Sequence, residues 1–312
     1  MQKILTKIKI GQAGAVGIDL PVIKFIGKKK GNKALIVCGM HGDEYTGLLV
    51  VNKILERIDD VVGELWIIPS ANPLAQALGL RINPLDLFDL NRKFPGDKDK
   101  ELTDRLAATI YKIAKQMDAV IDFHTFSDPT VVTSIFMNCG SDKVKKKTLN
   151  FIKLFDPDIV WELNINSKDE LKFVTALGPK LSFEGVPNIA VELPQHYQIT
   201  EEQLNRTVEG TIKVLNNLKI TEIKSIVIGR KLVFVKTCEF DSDISGMFIS
   251  TRNLMEKVKK GDVVGKVVNI TNFKKTIIRV HENGVLMVLK NNQFVFTGDR
   301  LFTVGKIINV KY

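Results

Sequence analysis

The sequence predicts an α/β protein: a mostly parallel, mixed sheet flanked by helices, followed by a small C-terminal β-barrel or sandwich. Three observations carry this reading. Short apolar runs alternate with helical patterns over the first two-thirds of the 312 residues, an alternation that builds parallel strands covered on both faces. Near residue 224 the texture changes to short β-rich runs punctuated by glycine. That tail holds two look-alike half-segments, the mark of a small β-barrel or sandwich. The expected domains are therefore 1–224 and 225–312.

Taken in order, "ALIVCGM" (34–40), "ELWIIPS" (64–70), "DAVIDF" (118–123) and "NIAVEL" (188–193) read as buried strands. Residues 44–59 set Leu48, Val51, Leu55 and Ile58 on one helical stripe, and residues 101–116 do the same with Leu102, Leu106, Ile110 and Ile113. A third helix begins at "TEEQ", where Thr200 and Gln203 form a capping box, and runs to about Leu218. In the tail, "SGMFIS…VKKGDVVGKV" runs from Gly246 to Gly261-Asp262, and "NGVLMV…VFTGDRLFTV" from Gly284 to Gly298-Asp299. Val258 and Val295 each stand three residues before the Gly-Asp pair. The tail resembles the barrel-sandwich fold of lipoyl and biotinyl carriers. Their lysine hairpin has no counterpart here, so no lysine-linked cofactor is expected.

Composition bounds the function. The chain is 45% hydrophobic and 26% charged, which suits a globular protein with a sizeable core. Its apolar stretches stop near about seven residues, against about 20 for a membrane span, and the N-terminal "MQKILTKIKIGQAG" has no signal-peptide core. Cys38, Cys139 and Cys238 form no C-x-x-C, which argues against a disulfide framework and for a reducing cytoplasm. Of the net charge of +10, residues 225–312 supply 15 Lys/Arg against 7 Asp/Glu, leaving 30 against 28 for the rest. The basic tail reads either as a solvated lysine surface or as a field that attracts an anion. No nucleic-acid-binding pattern accompanies it.

The chemistry sits at strand ends. His41 and Glu44 follow the run 34–40, His124 follows 118–123, and Glu192 closes 188–192. Open α/β sheets bind ligands at such carboxyl ends. Buried imidazoles and carboxylates need partners or a metal. Two histidines and one carboxylate make a catalytic zinc set with a fourth position open. H-x-x-E alone is a common pattern, and a core or helix-capping role is the alternative for each histidine. Asp122 stands where it can orient a ligand imidazole, with a solvated strand-end carboxylate as the alternative, and Asp43 reads as the cap of the helix beginning near Glu44 rather than a metal ligand. Arg81, Asn91 and Arg92 lie in the segment between the histidines. Arginines near a metal suit carboxylate binding and oxyanion stabilisation, with a surface salt bridge as the alternative. His196 and His281 read as surface residues, Cys38 as core, and Glu184 as a loop rival to Glu192.

Together, "GMHGDEYTG", "NP…R", "DLNRKFPG", "DFHT" and "VEL", in that order over roughly residues 18–200, resemble the succinylglutamate desuccinylase/aspartoacylase family, relatives of the zinc carboxypeptidases. The β-rich tail is similar to that of the family's predicted-deacylase branch. The resemblance implies one zinc (Zn2+) per chain on His41, Glu44 and His124, with Glu192 as general base. It also implies that Arg81 polarises the scissile carbonyl and that Asn91 and Arg92 hold a substrate carboxylate. The expected protein is a cytoplasmic zinc amidohydrolase acting on a small anionic N-acyl substrate, with a homo-oligomer open and neither membrane nor nucleic acid as partner. A carboxypeptidase-like peptidase and a non-catalytic metal sensor are the competing readings.

Overall fold

The structure, a computed structural model, describes residues 1–165, 168–225, 229 and 231–308. Strands β1 (Gln2–Ala13) and β2 (Val16–Ile26) form an antiparallel hairpin. Next come β3 (Lys33–Val37), α1 (Thr46–Leu55), β4 (Glu64–Ile68), α2 (Pro73–Leu78), α3 (Leu102–Ala114) and β5 (Ala119–Thr125). They are followed by β6 (Thr133–Met137), α4 (Asp142–Phe155), β7 (Ile159–Leu163), α5 (Leu177–Phe183), β8 (Asn188–Leu193) and α6 (Glu201–Asn217). The tail contributes β9 (Phe234–Asp241), β10 (Gly246–Ser250), β11 (Lys257–Val258) and β12 (Val263–Val268), then β13 (Lys275–Arg279), β14 (Gly284–Leu289), β15 (Gln293–Val295) and β16 (Arg300–Ile307).

One sheet runs β1-β2-β4-β3-β5-β8-β6-β7-β9-β16-β14-β11. Its centre is parallel (β4, β3, β5, β8), whereas β2 meets β4 and β6 meets β8 antiparallel. The sheet is thus mixed, as its sequence implies. Alternation along β3 splits the core: Ile36 packs with Val50, Ile54 and Ile212 on one face, and Leu35 and Val37 with Leu106, Ile110 and Leu177 on the other. Among the described residues, no helix is long and apolar enough to cross a membrane.

The predicted helices are found, with one revision. The capping box on α6 is complete: Gln203 N donates to Thr200 Oγ1 (3.2 Å) and Thr200 N to Gln203 Oε1 (2.9 Å). Helix α1 is shorter than 44–59. Tyr45 is its N-cap and supplies no side-chain bond, and the Asp43 Oδ1 atom is buried without a partner among the described residues, so Asp43 does not cap the helix. The buried stripe is Val50, Val51 and Ile54. The physical reason lies in the preceding loop. Gly39 takes φ 68°, and a Cβ on Gly42 would meet the Ala75 backbone at 2.0 Å. Residues 39–45 are spent on turning His41 and Glu44 to one point before a helix can start.

The two half-segments of the tail exchange strands. Gly246, opening β10, pairs with Val295 of the second half, and Gly284, opening β14, pairs with Val258 of the first. Their Gly-Asp turns match: Lys259 N donates to Asp262 Oδ2 (3.0 Å), and Phe296 N to Asp299 Oδ2 (2.9 Å). Four strands, β13-β12-β10-β15, form a second, antiparallel sheet. The tail is stitched to the rest through β7 pairing parallel with β9 and through the loop after β5. There Thr130 Oγ1 donates to Met287 O (2.9 Å), and Leu289 N donates to Pro129 O (3.0 Å).

Helix α6 packs on the end of α4 so closely that a Cβ on Gly210 would stand 2.1 Å from Phe155 O. Alanine is favoured over glycine in a helix by about 1 kcal/mol, but overpacking costs about 1–3 kcal/mol or more. Gly210→Ala should therefore lower the denaturation midpoint. An unchanged or raised midpoint would contradict this contact.

Candidate active site

The tight turn at 39–45 and the end of β5 bring three side chains together. His41 Nδ1 lies 2.7 Å from Glu44 Oε1, and His124 Nδ1 lies 3.0 Å from Glu44 Oε2. All three residues are buried, and one ligand atom from each lies within 4.8 Å of the others. The far nitrogens are also occupied: His41 Nε2 faces Asp89 Oδ1 at 3.1 Å, and His124 Nε2 faces Asp122 Oδ2 at 3.0 Å.

Each ring is thus held between two carboxylates. Burial pulls the His41 imidazole down, but Glu44 and Asp89 outweigh it and leave its pKa raised. Burial likewise opposes His124, whose pKa Asp122 and Glu44 lift well above the ordinary value. Burial pushes the Glu44 carboxyl up, yet the two imidazoles bring it down to about 2. Such a cluster calls for positive charge at its centre. A cation among the two Nδ1 atoms and the Glu44 oxygens lets each ring stay neutral and keep one N–H, at Nε2, for its aspartate. Ligand atoms around one tetrahedral zinc stand about 3.3 Å apart, so the donor set closes on an ion with little movement. The residues fit a divalent metal.

Glu192 on β8 is the register partner of His124 on β5, which directs both side chains to the same face of the sheet. Burial, opposed by His124 and reinforced by Glu44, pushes its carboxyl up to about 7. Arg81 Nη2 donates to Asp89 Oδ2 (3.0 Å), while Nη1 lies 3.4 Å from His41 Nδ1. Asn91 is more engaged than a free substrate contact: its Oδ1 accepts from Leu177 N (3.0 Å), and its Nδ2 lies 3.4 Å from His124 Nε2. Arg92 donates to Asn91 O (2.9 Å) and lies over the Phe173 ring.

All seven of these predicted site residues line one cavity of ≈ 320 Å³. Asp122 lines it too, in the orienting position its spacing suggests. Glu184 does not; it accepts from Tyr111 Oη (2.9 Å) on the surface. His196 and His281 are exposed and Cys38 is buried. Two groups escape a sequence reading. Asp89 orients His41, and its signal was its place two residues before Asn91 in the turn-rich "DLNRKFPG". Glu239 and Arg300 reach the cavity from the tail, and no local motif marks them.

A histidine–carboxylate–histidine set backed by another carboxylate at the ends of a mixed sheet defines a metal-site amidohydrolase. Known proteins narrow the class. The chain belongs to the succinylglutamate desuccinylase/aspartoacylase family, whose catalytic-domain profile matches residues 30–218, and it is a deacylase of that family with a candidate His–Glu–His metal site. The N-alpha-acetyl-L-2,4-diaminobutyric acid deacetylase of Halomonas elongata is 27% identical over 307 residues, covering 95% of this chain and 87% of the relative. Similar folds are seen in a succinylglutamate desuccinylase/aspartoacylase of Rhodobacter sphaeroides (TM-score 0.85, 18% identity, 99% and 96% coverage of this and that chain). The product-bound ectoine utilization protein EutE (DoeB) of Ruegeria pomeroyi also matches (TM-score 0.86, 21% identity, 97% and 95% coverage).

The arrangement makes the orienting aspartates measurable. Asp89→Asn and Asp122→Asn should each weaken metal binding by about 10–100-fold while leaving the donors in place. His41→Ala and His124→Ala should abolish stoichiometric binding. Competition with a chelating dye measures all four. Undiminished affinity in the histidine variants would remove the site.

Proposed function

We propose that the protein is a zinc-dependent hydrolase that cleaves the amide bond of a small N-acylated amino acid, with zinc on His41, Glu44 and His124. The observation that carries this is the single cavity shared by that donor set, a proton-accepting carboxylate at Glu192 and the guanidinium groups of Arg81 and Arg92. Zinc in this set supplies a Lewis acid and lowers the pKa of a bound water to about 7.

The protein's own groups do the rest. Glu192, half-buried on the same sheet face as His124, takes the proton of the attacking water and returns it to the leaving amine. Arg81, anchored through Asp89, directs its remaining N–H groups at the oxygen on which negative charge grows. Arg92 offers a planar fork to the substrate carboxylate. Asn91 steadies this arm, since it ties Leu177 to the loop that carries Arg92. The substrate of the Halomonas elongata relative, an acetylated diamino acid, supports a compound of this size and charge. So does the cavity, whose ≈ 320 Å³ lies at the small end of ligand sites and suits an acyl amino acid better than a peptide.

Amine release from a panel of N-acyl amino acids and short peptides, with and without chelator, tests the proposal. Chelator-sensitive release from the acyl amino acids is expected, and release from peptides alone would turn the reading to a peptidase. Glu192→Gln should retain the metal and lose about 10²–10⁴ in turnover. Metal lost with the activity would make Glu192 a ligand instead. Arg92→Lys should raise KM for an acyl amino acid more than for its carboxamide, because lysine cannot reproduce two parallel hydrogen bonds. Equal losses on the two substrates would exclude the carboxylate contact.

A further inference from the structure

The cavity has an apolar floor that none of these steps uses. Strand pairing sets one row of residues across four strands: Asp122 on β5 pairs with Ala190 on β8, Ala190 with Ile135 on β6, and Ile135 with Trp161 on β7. Paired residues point to the same side of a sheet, and all four line the cavity. The row lies two residues along the strands from His124 and Glu192, hence on their face. Beyond Asp122, which is engaged with His124, the row is apolar. Trp161 Nε1 is itself buried, so the indole turns carbon atoms to the cavity.

The floor leads back to Arg92. Phe173 meets Trp161 edge-on with ring centroids 5.8 Å apart, and the Arg92 guanidinium lies over Phe173 at 4.9 Å. Glu192 and Arg92 thus stand at the two ends of one apolar surface. The other charged groups of the cavity stand apart from it. Glu239 and Arg300 lie on β9 and β16, beyond β7, and are paired with each other at 2.6 Å. Lys172 is exposed, with Nζ 5.3 Å from the Phe173 ring centroid. The α-carbon of an N-acyl amino acid carries three arms. With the acylated nitrogen at the donor set and Glu192, and the carboxylate at Arg92, the third arm faces the floor. Neighbouring strands stand about 4.8 Å apart, so a short side chain that starts beside Glu192 covers Ala190 and reaches Ile135. A charge on that arm would leave water without gaining a partner, whereas each methylene buried there is stabilising.

We infer that the protein selects N-acyl amino acids with an uncharged, apolar side chain, and that Ala190 and Ile135 set the size of side chain it accepts. This specificity rests on the deacylase reading above. Such a substrate shares its carboxylate and its acylated amine with the acetylated diamino acid of the Halomonas elongata relative and departs from it in the third arm.

The test compares three N-acetyl amino acids of similar length on the metal-loaded enzyme: Nα-acetylnorvaline, whose side chain ends in a methyl, Nα-acetyl-2,4-diaminobutyrate, which ends in an ammonium, and Nα-acetylglutamate, which ends in a carboxylate. The wild type should favour the first over each of the others by about 10–100-fold in kcat/KM, the worth of burying one aliphatic side chain. Two variants should move the optimum in opposite directions. Ala190→Leu fills the floor and should lower the ratio of acetylnorvaline to acetylalanine by about tenfold, and Ile135→Ala deepens it and should raise the ratio of acetylphenylalanine to acetylnorvaline by a similar factor. Each ratio is taken within one preparation, so loss of folded protein cancels. A wild type that prefers the diaminobutyrate or the glutamate, or that shows no preference, overturns the inference and leaves the deacylase reading standing. So do variants whose ratios match those of the wild type. An enzyme that hydrolyses no N-acyl amino acid overturns both.

Discussion

One carboxylate organises this site. Glu44 spans two imidazoles with its two oxygens, and each imidazole is braced from behind by an aspartate. Removing so many ionisable groups from water is tolerable only because opposite charges stand within hydrogen-bonding distance of one another. The demands of that cluster reach outward. They set the tight glycine-bearing turn after β3, delay the start of α1, and place the end of β5 inside the sheet rather than beyond it. They also hold Arg81 against Asp89, and Asn91 against His124.

The tail is part of the same structure. Strand β9 extends the main sheet beyond β7, and a mixed core of Val131, Ile159, Val235 and Met287 seals the join. Lys290 pairs with Asp128 (2.9 Å) in the loop that follows the His124 strand. These contacts fasten the tail to the loop that carries Phe126 and Ser127 at the cavity wall. An excess of lysine reads in the sequence as a field, but at the cavity the tail presents a paired acid and base.

The central strands and the donor set were legible because each has a local signal: apolar runs between turns, and H-x-x-E followed far downstream by a strand-end histidine. The capping box on α6 was legible for the same reason. The hairpin of β1 and β2 was not, since β1 alternates exposed and half-buried residues and never forms an apolar run. Asp43 misled because a helix-capping residue type stood before a helical stripe, while tertiary demands on the loop moved the helix start to Thr46. Asp89, Glu239 and Arg300 owe their places to contacts across 48 residues or to strand pairing in the tail, which no window of sequence displays.

The strand exchange in the tail has a consequence for biosynthesis. Because Gly246 waits for Val295 and Val258 for Gly284, neither half can close on its own. In a chain made from the N-terminus onward, the His–Glu–His end of the cavity can assemble once Glu192 has emerged. Its opposite wall must wait until β16 has been synthesised and has paired with β9. Until then the cavity lacks the wall that Glu239 and Arg300 supply.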